Sequence, residues 1–450
     1  MNKSISLLLV FISFVLYFSA PMSYSWSYCA VCAGVYIANA VMGIIPSFKN
    51  EPLSFGLFFS LTVFMCSFVF PLVIYPLDEN YSLFQFGYSP TVITKCTALT
   101  CLAHSLYWFG VSNAKEKHYK YLLLKNLTID DRMIGKISFI VVFLFIGFLL
   151  LGGLSYYTDI YLEGNMSSHL GFQYLNVLFS TLAVTFSCML LYADKTSTYL
   201  KACVILGIIS IVILSTGSRT LPMYLILPMA YVFQKRYNVG IIKLAGLCFI
   251  MLFVFVAIGR LRSEGINVEA ISSYSGSSSE VGYWDNMLDF IVCNRNLYDI
   301  YSAVDNEGIL WGKNFLGSLL SVIPFAQGFV SSLFNIPSYQ LDSTYFCTYK
   351  VFGESAPLGL GTHVVGDVYL AFGLFGVIAL FYLLGYFITK LRNGILFTGS
   401  HFMYIAYLYM LSYSVFFCRG SFFGAFKGII WSALVLYLVN KFIVRKRSAY

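Results

Sequence analysis

Four arginines, one histidine and one aspartate are the residues here whose types and spacing suit chemistry. Arg219 interrupts an apolar stretch at Gly217-Ser218-Arg219-Thr220, between a run from Ala202 to Thr216 and another from Leu221 to Phe233. Arg260 and Arg262 follow a third run, Leu244–Ile258, and Arg419 occupies the turn Cys418-Arg419-Gly420-Ser421 between the last two runs. A guanidinium is a permanently charged planar fork that matches phosphate. Near bilayer depth it costs roughly 2.5–3.5 kcal/mol on insertion scales, so it sits where water, protein or an anion compensates it. At Arg219 a tight turn running into a helix start adds backbone N–H groups to such a site. The four arginines read as an anion-binding set. The plain alternatives are a solvated hairpin tip for Arg219 and interfacial snorkelling for Arg260 and Arg262. His363 lies in Gly361-Thr362-His363-Val364-Val365-Gly366-Asp367, and Asp367 is one helical turn further on, on the same face. A histidine there suits a general base, with Asp367 orienting the ring or acting as the base itself. A satisfied interfacial histidine is the alternative, and Glu354 is a further carboxylate in reach of this role.

The elements that must position these residues are membrane helices. The chain has 450 residues, 59% hydrophobic and 11% charged, with mean hydropathy +0.77. Soluble domains carry about 25% charged residues, so this is an all-α polytopic membrane protein. Hydropathy predicts about twelve crossings at the length a bilayer demands. They are Ser4–Ala20, Trp26–Ile45, Leu53–Tyr75, Thr91–Ser112, Ile137–Ser155, Gly171–Ala193, the two halves of the Arg219 hairpin, Leu244–Ile258, Val364–Phe387, His401–Phe417 and Ala425–Val444. The first resembles a signal peptide, but Pro21 is a poor residue after a cleavage site, so a retained helix is expected. The organisation is 1–258 with nine crossings, 259–362 as one large loop, and 363–450 with three crossings.

Lysines and arginines alternate between loops. They crowd Lys115–Lys136, Lys195–Lys201, Lys235–Lys243, Lys390–Arg392 and the tail Arg445-Lys446-Arg447, and are missing near Asp78-Glu79 and Asp159–Glu163. The positive-inside rule places both termini in the cytoplasm, and Arg219, Arg419 and the 259–362 loop outside. The same pattern accounts for the net charge of +8 without nucleic acid. Within the loop, Leu310–Ile336 is apolar with Pro324 and several glycines, and reads as an interfacial or re-entrant helix pair. Carboxylates and aromatics elsewhere in the loop suit a hydroxyl-rich ligand such as a sugar.

Of 11 cysteines most fall in apolar runs, where they pack as small hydrophobes. Cys29 and Cys32 form a C-x-x-C inside a membrane segment with no second pair, and Cys293 and Cys347 are placed to pair if their loop faces an oxidising space. Lys95 and His104 lie inside the fourth crossing, where ionisable groups are functional candidates and Lys95 is near enough to the outer end to snorkel. Gly366, Gly373 and Gly376 mark close helix packing. The sequence has no P-loop, no Asp-x-Asp sugar-nucleotide motif, no zinc spacing and no G-x-S-x-G elbow. With a site outside the cytoplasm, the energy for a reaction has to arrive on a lipid.

Ser218-Arg219-Thr220, Gly259-Arg260-Leu261-Arg262, the long loop, Gly366-Asp367-Val368-Tyr369-Leu370-Ala371-Phe372-Gly373 and Arg419-Gly420 together resemble the bacterial O-antigen polymerases, the Wzy-type oligosaccharide repeat-unit polymerases of the inner membrane. The resemblance implies a GT-C-like fold and a metal-independent glycosyltransferase without cofactor. Its partners would be undecaprenyl-diphosphate-linked oligosaccharides, membrane lipid and a chain-length regulator protein. It further implies that Arg219, Arg260, Arg262 and Arg419 hold the diphosphate while His363 or Asp367 activates the acceptor hydroxyl. An O-antigen ligase would use similar residues. A lipid-linked sugar flippase would instead line a central path with charge, whereas these charges gather at one face.

Overall fold

The computed structural model describes residues 3–48, 51–77, 89–114, 131–158, 170–190, 193, 195–216, 218–239, 243, 246, 291, 293–354, 356, 359–398 and 401–439. The main regular elements of the described residues are helices: α1 (Lys3–Phe18), α2 (Trp26–Phe48), α3 (Phe55–Ser67), α4 (Ile93–Asn113), α5 (Asp131–Leu150), α6 (Leu170–Met189), α7 (Thr196–Leu214), α8 (Thr220–Tyr237), α9 (Cys293–Glu307), α10 (Lys313–Leu320), α11 (Ala326–Phe334), α12 (Ser343–Phe352), α13 (Val364–Thr398), α14 (His401–Tyr413) and α15 (Phe426–Val439). Helices stand on eleven of the twelve stretches expected to cross; of the twelfth, Leu244–Ile258, all but Gly246 lies outside the described residues. By length and apolar composition alone, three described helices qualify as spans, or four if the bent pair at α3 counts as one.

Some of these helices turn their large apolar side chains outward. In α1 the buried residues are Ser6, Val10, Ser13 and Tyr17, whereas Leu7, Leu8, Phe11 and Val15 are exposed. α5 is apolar all round: Ile134, Ile137, Val141, Phe145 and Phe148 are buried, while Phe139, Phe143, Ile146 and Leu150 face outward. A helix that turns serine inward and phenylalanine outward has hydrocarbon around it, because in lipid the apolar face gains nothing from packing. The chain is a multi-pass helical membrane protein.

It folds as two compact units. The first comprises Met1–Lys117, Asn267–Lys390 and Ser414–Lys427; the second comprises His118–Ile266, Leu391–Tyr413 and Gly428–Tyr450. In the first, α1 and α2 pack along α4. The polar residues of α4 bond inward: Ser13 meets Ser105 at 2.7 Å, Asn39 donates to Ser105 at 2.9 Å, and Ser60 meets His104 at 2.9 Å. His104 is thus part of the helix-packing seam, and Lys95 donates to the Tyr17 carbonyl at 2.7 Å. α4 also meets α13 main chain to main chain. A Cβ on Gly110 would run into the Tyr382 carbonyl, and one on Gly385 into that of Tyr107. In the second unit α5 to α8 pack with α14, and Thr185 of α6 meets Ser432 of α15 at 2.7 Å.

Two expected single crossings are broken. After α3 the chain passes through a π-turn, Phe70–Ile74, and bends by 42°. Pro71 has no N–H to give, and the Pro71 and Leu72 carbonyls accept from Tyr24 Oη at 2.7 Å and Trp26 Nε1 at 2.9 Å. α13 breaks at Phe372–Gly373, where Gly373 has φ +61°. The carbonyls this frees, Leu370 and Ala371, accept the N–H groups of Leu310 at 2.8 Å and Gly312 at 3.1 Å. Of the three glycines expected to mark helix packing, Gly366 does so, against Leu297 and Ile300 of α9, while Gly373 is the break itself. Cys293 and Cys347 are separate free thiols, the former donating to the Thr362 carbonyl at 3.2 Å.

α9 carries a buried charge pair. Burial pushes the Asp299 carboxyl up to about 6, with Arg295 and Lys350 pulling the other way and Glu307 adding to the rise. Its Oδ2 has no hydrogen-bond partner. The native carboxyl therefore holds its proton more tightly than the unfolded one, and stability falls as pH rises from about 4 to about 6. Asp299→Asn should flatten that dependence and raise the melting temperature at pH 8, by an equivalent of about 3 kcal/mol at most. Thermal unfolding of both proteins across pH, in one detergent, measures it; an unchanged profile refutes the assignment. Gly110→Val should cost about 1–3 kcal/mol through overpacking against α13, read as earlier loss of the monodisperse protein on heating, whereas Gly207→Val, with open space beside it, should not.

Candidate functional site

The residues singled out for chemistry in the first unit come together where the loop meets α13. His363 precedes α13 and caps it: its Nδ1 accepts the Val365 N–H at 3.2 Å. Because that nitrogen is an acceptor, the neutral ring carries its proton on Nε2. Nε2 lies 2.9 Å from Ser67 Oγ at the end of α3 and 3.5 Å from Cys418 Sγ. Burial pushes the imidazole down to about 3, so it stays neutral, and its one lone pair is committed to the backbone of its own helix.

Asp367 lies in the first turn of α13, where a carboxylate faces the positive end of the helix dipole. It is fully buried. Oδ1 accepts from Asn314 Nδ2 at 2.7 Å and Oδ2 accepts from the Phe422 N–H at 2.7 Å. One side chain thus ties the starts of α10 and α13 to the segment after Arg419.

That segment is a short 3-10 turn, Phe417–Arg419, leading into extended Gly420. It is held at Cys418 by His363 and at Phe422 by Asp367. Arg419 between them is half-buried, and its charge acts on the Cys293 and Cys418 thiols. The structure brings His363 and Asp367 against the residues on either side of Arg419, where the two expected proton acceptors are buried side chains bonded to that turn. Glu354 is exposed at the end of α12.

Arg219 belongs to the second unit. It is the residue before α8, buried at 7% exposure beside buried Ser218, and its carbonyl accepts the Met223 N–H. Arg260 and Arg262 lie outside the described residues. Among the described residues no group of three or more histidine, cysteine, aspartate or glutamate side chains is placed to hold a metal ion.

A family model described as O-antigen polysaccharide polymerase Wzy matches residues 3–448. No curated relative and no solved structure matches the chain.

Sequence reasoning missed Arg295 and Asn314. Arg295 is buried and donates to Asn296 Oδ1 at 3.1 Å, and Asn296 donates to the Leu360 carbonyl at 2.8 Å. Gly361 lies between that amide and the Arg419 carbonyl. The signal was present in Cys293-Asn294-Arg295-Asn296, a basic residue between two asparagines in a loop where positive charge is disfavoured. Asn314 carried none, since a lone asparagine is ordinary in a loop.

Asp367→Ala and Asn314→Ala should each lower activity by loosening the Arg419 turn, with little change in the amount of folded protein. Both act through one network, so the double variant should be scarcely worse than the poorer single one. A product assay on the four proteins decides; simple multiplication of the two losses would dissolve the network.

Proposed function

The chain belongs to the O-antigen polysaccharide polymerase Wzy family, and on that premise we propose that it joins undecaprenyl-diphosphate-linked oligosaccharide repeat units at the periplasmic face of the inner membrane, with both termini in the cytoplasm. A hydroxyl of the incoming repeat unit forms a bond to the anomeric carbon of the growing chain. The bond from that carbon to the lipid diphosphate breaks, the diphosphate leaves with the electron pair, and the hydroxyl proton passes to the departing diphosphate or to water. The transition state concentrates negative charge on the departing diphosphate. Preorganised cations aimed there lower the barrier because they need not reorganise as the charge develops.

The observation that carries this reading is the bracing of the Arg419 turn by His363 and Asp367. Two buried side chains hold the backbone on either side of one guanidinium, which is the preorganisation that leaving-group stabilisation requires. Arg419 is assigned to the diphosphate, with Arg219, Arg260 and Arg262 completing the set. His363 and Asp367 act as positioning residues in the geometry described, and arginine supplies the charge that a metal ion supplies elsewhere.

Arg419→Ala and Arg219→Ala should each cut chain extension by about 10²–10³-fold, the usual loss for one such donor. Arg419→Lys should recover part of it, since a point charge replaces the fork. Lipopolysaccharide banding in a deletion strain complemented by each variant reads this as core plus one repeat unit. Wild-type length from a strain carrying both alanines would end the assignment.

A further inference from the structure

α10 opens on exposed Lys313, and from there Asn314 to Leu341 carries no charge. α10 and α11 have 8 and 9 residues. At 1.5 Å per residue these are about 12 and 14 Å long, far short of a hydrocarbon core of about 30 Å. Their inner and outer faces differ. α10 buries Asn314, Phe315, Gly317 and Ser318, and it is bound to its surroundings by Asn314 to Asp367, by the Gly317 N–H to the Leu341 carbonyl at 2.7 Å, and by Ser318 to Ser421 at 2.9 Å. α11 buries nothing. Ile323, Phe325, Phe329, Leu333 and Phe334 are 61–76% exposed, and so is Trp311 just before α10.

Two of these aromatics are held outward by unusual backbone. Trp311 has φ +54° and Phe325 has φ +66°, a region that bulky side chains rarely adopt. Strain of this kind persists only where the surroundings impose it, and it points to a use for the exposed rings.

The patch is continuous with the lipid-facing surface. Leu310 and Gly312 bond to the carbonyls at the break in α13, and Gly312 lies against the Phe372 ring. Three residues on, Phe375 is 75% exposed on the stretch of α13 that qualifies as a span. An apolar, aromatic-rich face that runs without interruption into a membrane helix has lipid as its neighbour. A protein partner of ordinary composition would call for a polar rim, and a single lysine at one end, Lys313, does not make one, whereas a lysine beside a tryptophan suits the headgroup level.

We propose that α10 and α11 form a monotopic foot, with Trp311, Ile323, Phe325, Phe329, Leu333 and Phe334 seated in the acyl-chain boundary of the bilayer. Since α10 also carries Asn314, the foot sets the depth of the Asp367 clamp and of Arg419. The inference needs only that the chain is a membrane protein and stands apart from the polymerase reading.

The test uses the full chain with dansylalanine incorporated in place of Phe329 or Leu333, and at Tyr345 as an aqueous control, reconstituted in phosphatidylethanolamine–phosphatidylglycerol vesicles free of isoprenoid lipid. Expected are blue-shifted emission at 329 and 333, about two-fold quenching by lipids brominated near the head of the acyl chain, and no quenching by aqueous iodide. Position 345 should show the reverse. Quenching by iodide at 329 and 333 would overturn the proposal. So would protection that vanishes as protein is diluted in lipid, which would mean a second copy, or protection that appears only on adding a polyisoprenyl phosphate, which would mean the substrate's tail.

Discussion

A helix interrupted inside a membrane protein must hand its freed carbonyls to some other donor, because lipid provides none. At Phe372–Gly373 the donors are the N–H groups of Leu310 and Gly312. This exchange inserts a piece of the long loop into the hydrogen-bond pattern of α13 and so fixes where α10 begins. Asn314 then falls opposite Asp367, and Asp367 in turn reaches the Phe422 N–H. The position of Arg419 is thus a consequence of a broken helix, passed along by backbone geometry.

The two buried aspartates of the first unit show how donors decide a carboxylate's use. Asp367 has the Asn314 amide on one oxygen and a backbone N–H on the other. A buried acid so surrounded is a rigid joint between elements. Asp299 leans on Arg295 for charge while its Oδ2 has no partner. Its burial is costly, as expected where Coulomb attraction does not repay desolvation.

The bundle beneath the site is held by close approach and by small polar groups. Gly110 and Gly385 let α4 and α13 touch backbone to backbone. Serines, an asparagine and a histidine bond across α1 to α4. This is the usual currency of helix association where hydrophobicity does not discriminate inside from outside. α4 therefore lies at the centre of its unit although threonines, serines and a histidine dilute its apolar character.

Class, membrane character and helix positions were legible in the sequence, because an apolar run of bilayer length has few other solutions. Arg419, His363 and Asp367 were legible as candidates, because charge is conspicuous where it is expensive. Their roles were not. That His363 spends its lone pair on Val365, and Asp367 its oxygens on Asn314 and Phe422, depends on partners 2 to 55 residues away, which spacing does not encode. The breaks at Pro71 and Gly373 were equally hidden, since one proline or glycine is compatible with a straight helix until another segment arrives to take the freed carbonyls. Hydropathy alone thus determined that the chain is a helical membrane protein and where its apolar helices fall; only the tertiary structure decided which polar groups meet, because hydrogen bonds are directional and their partners come from distant parts of the chain.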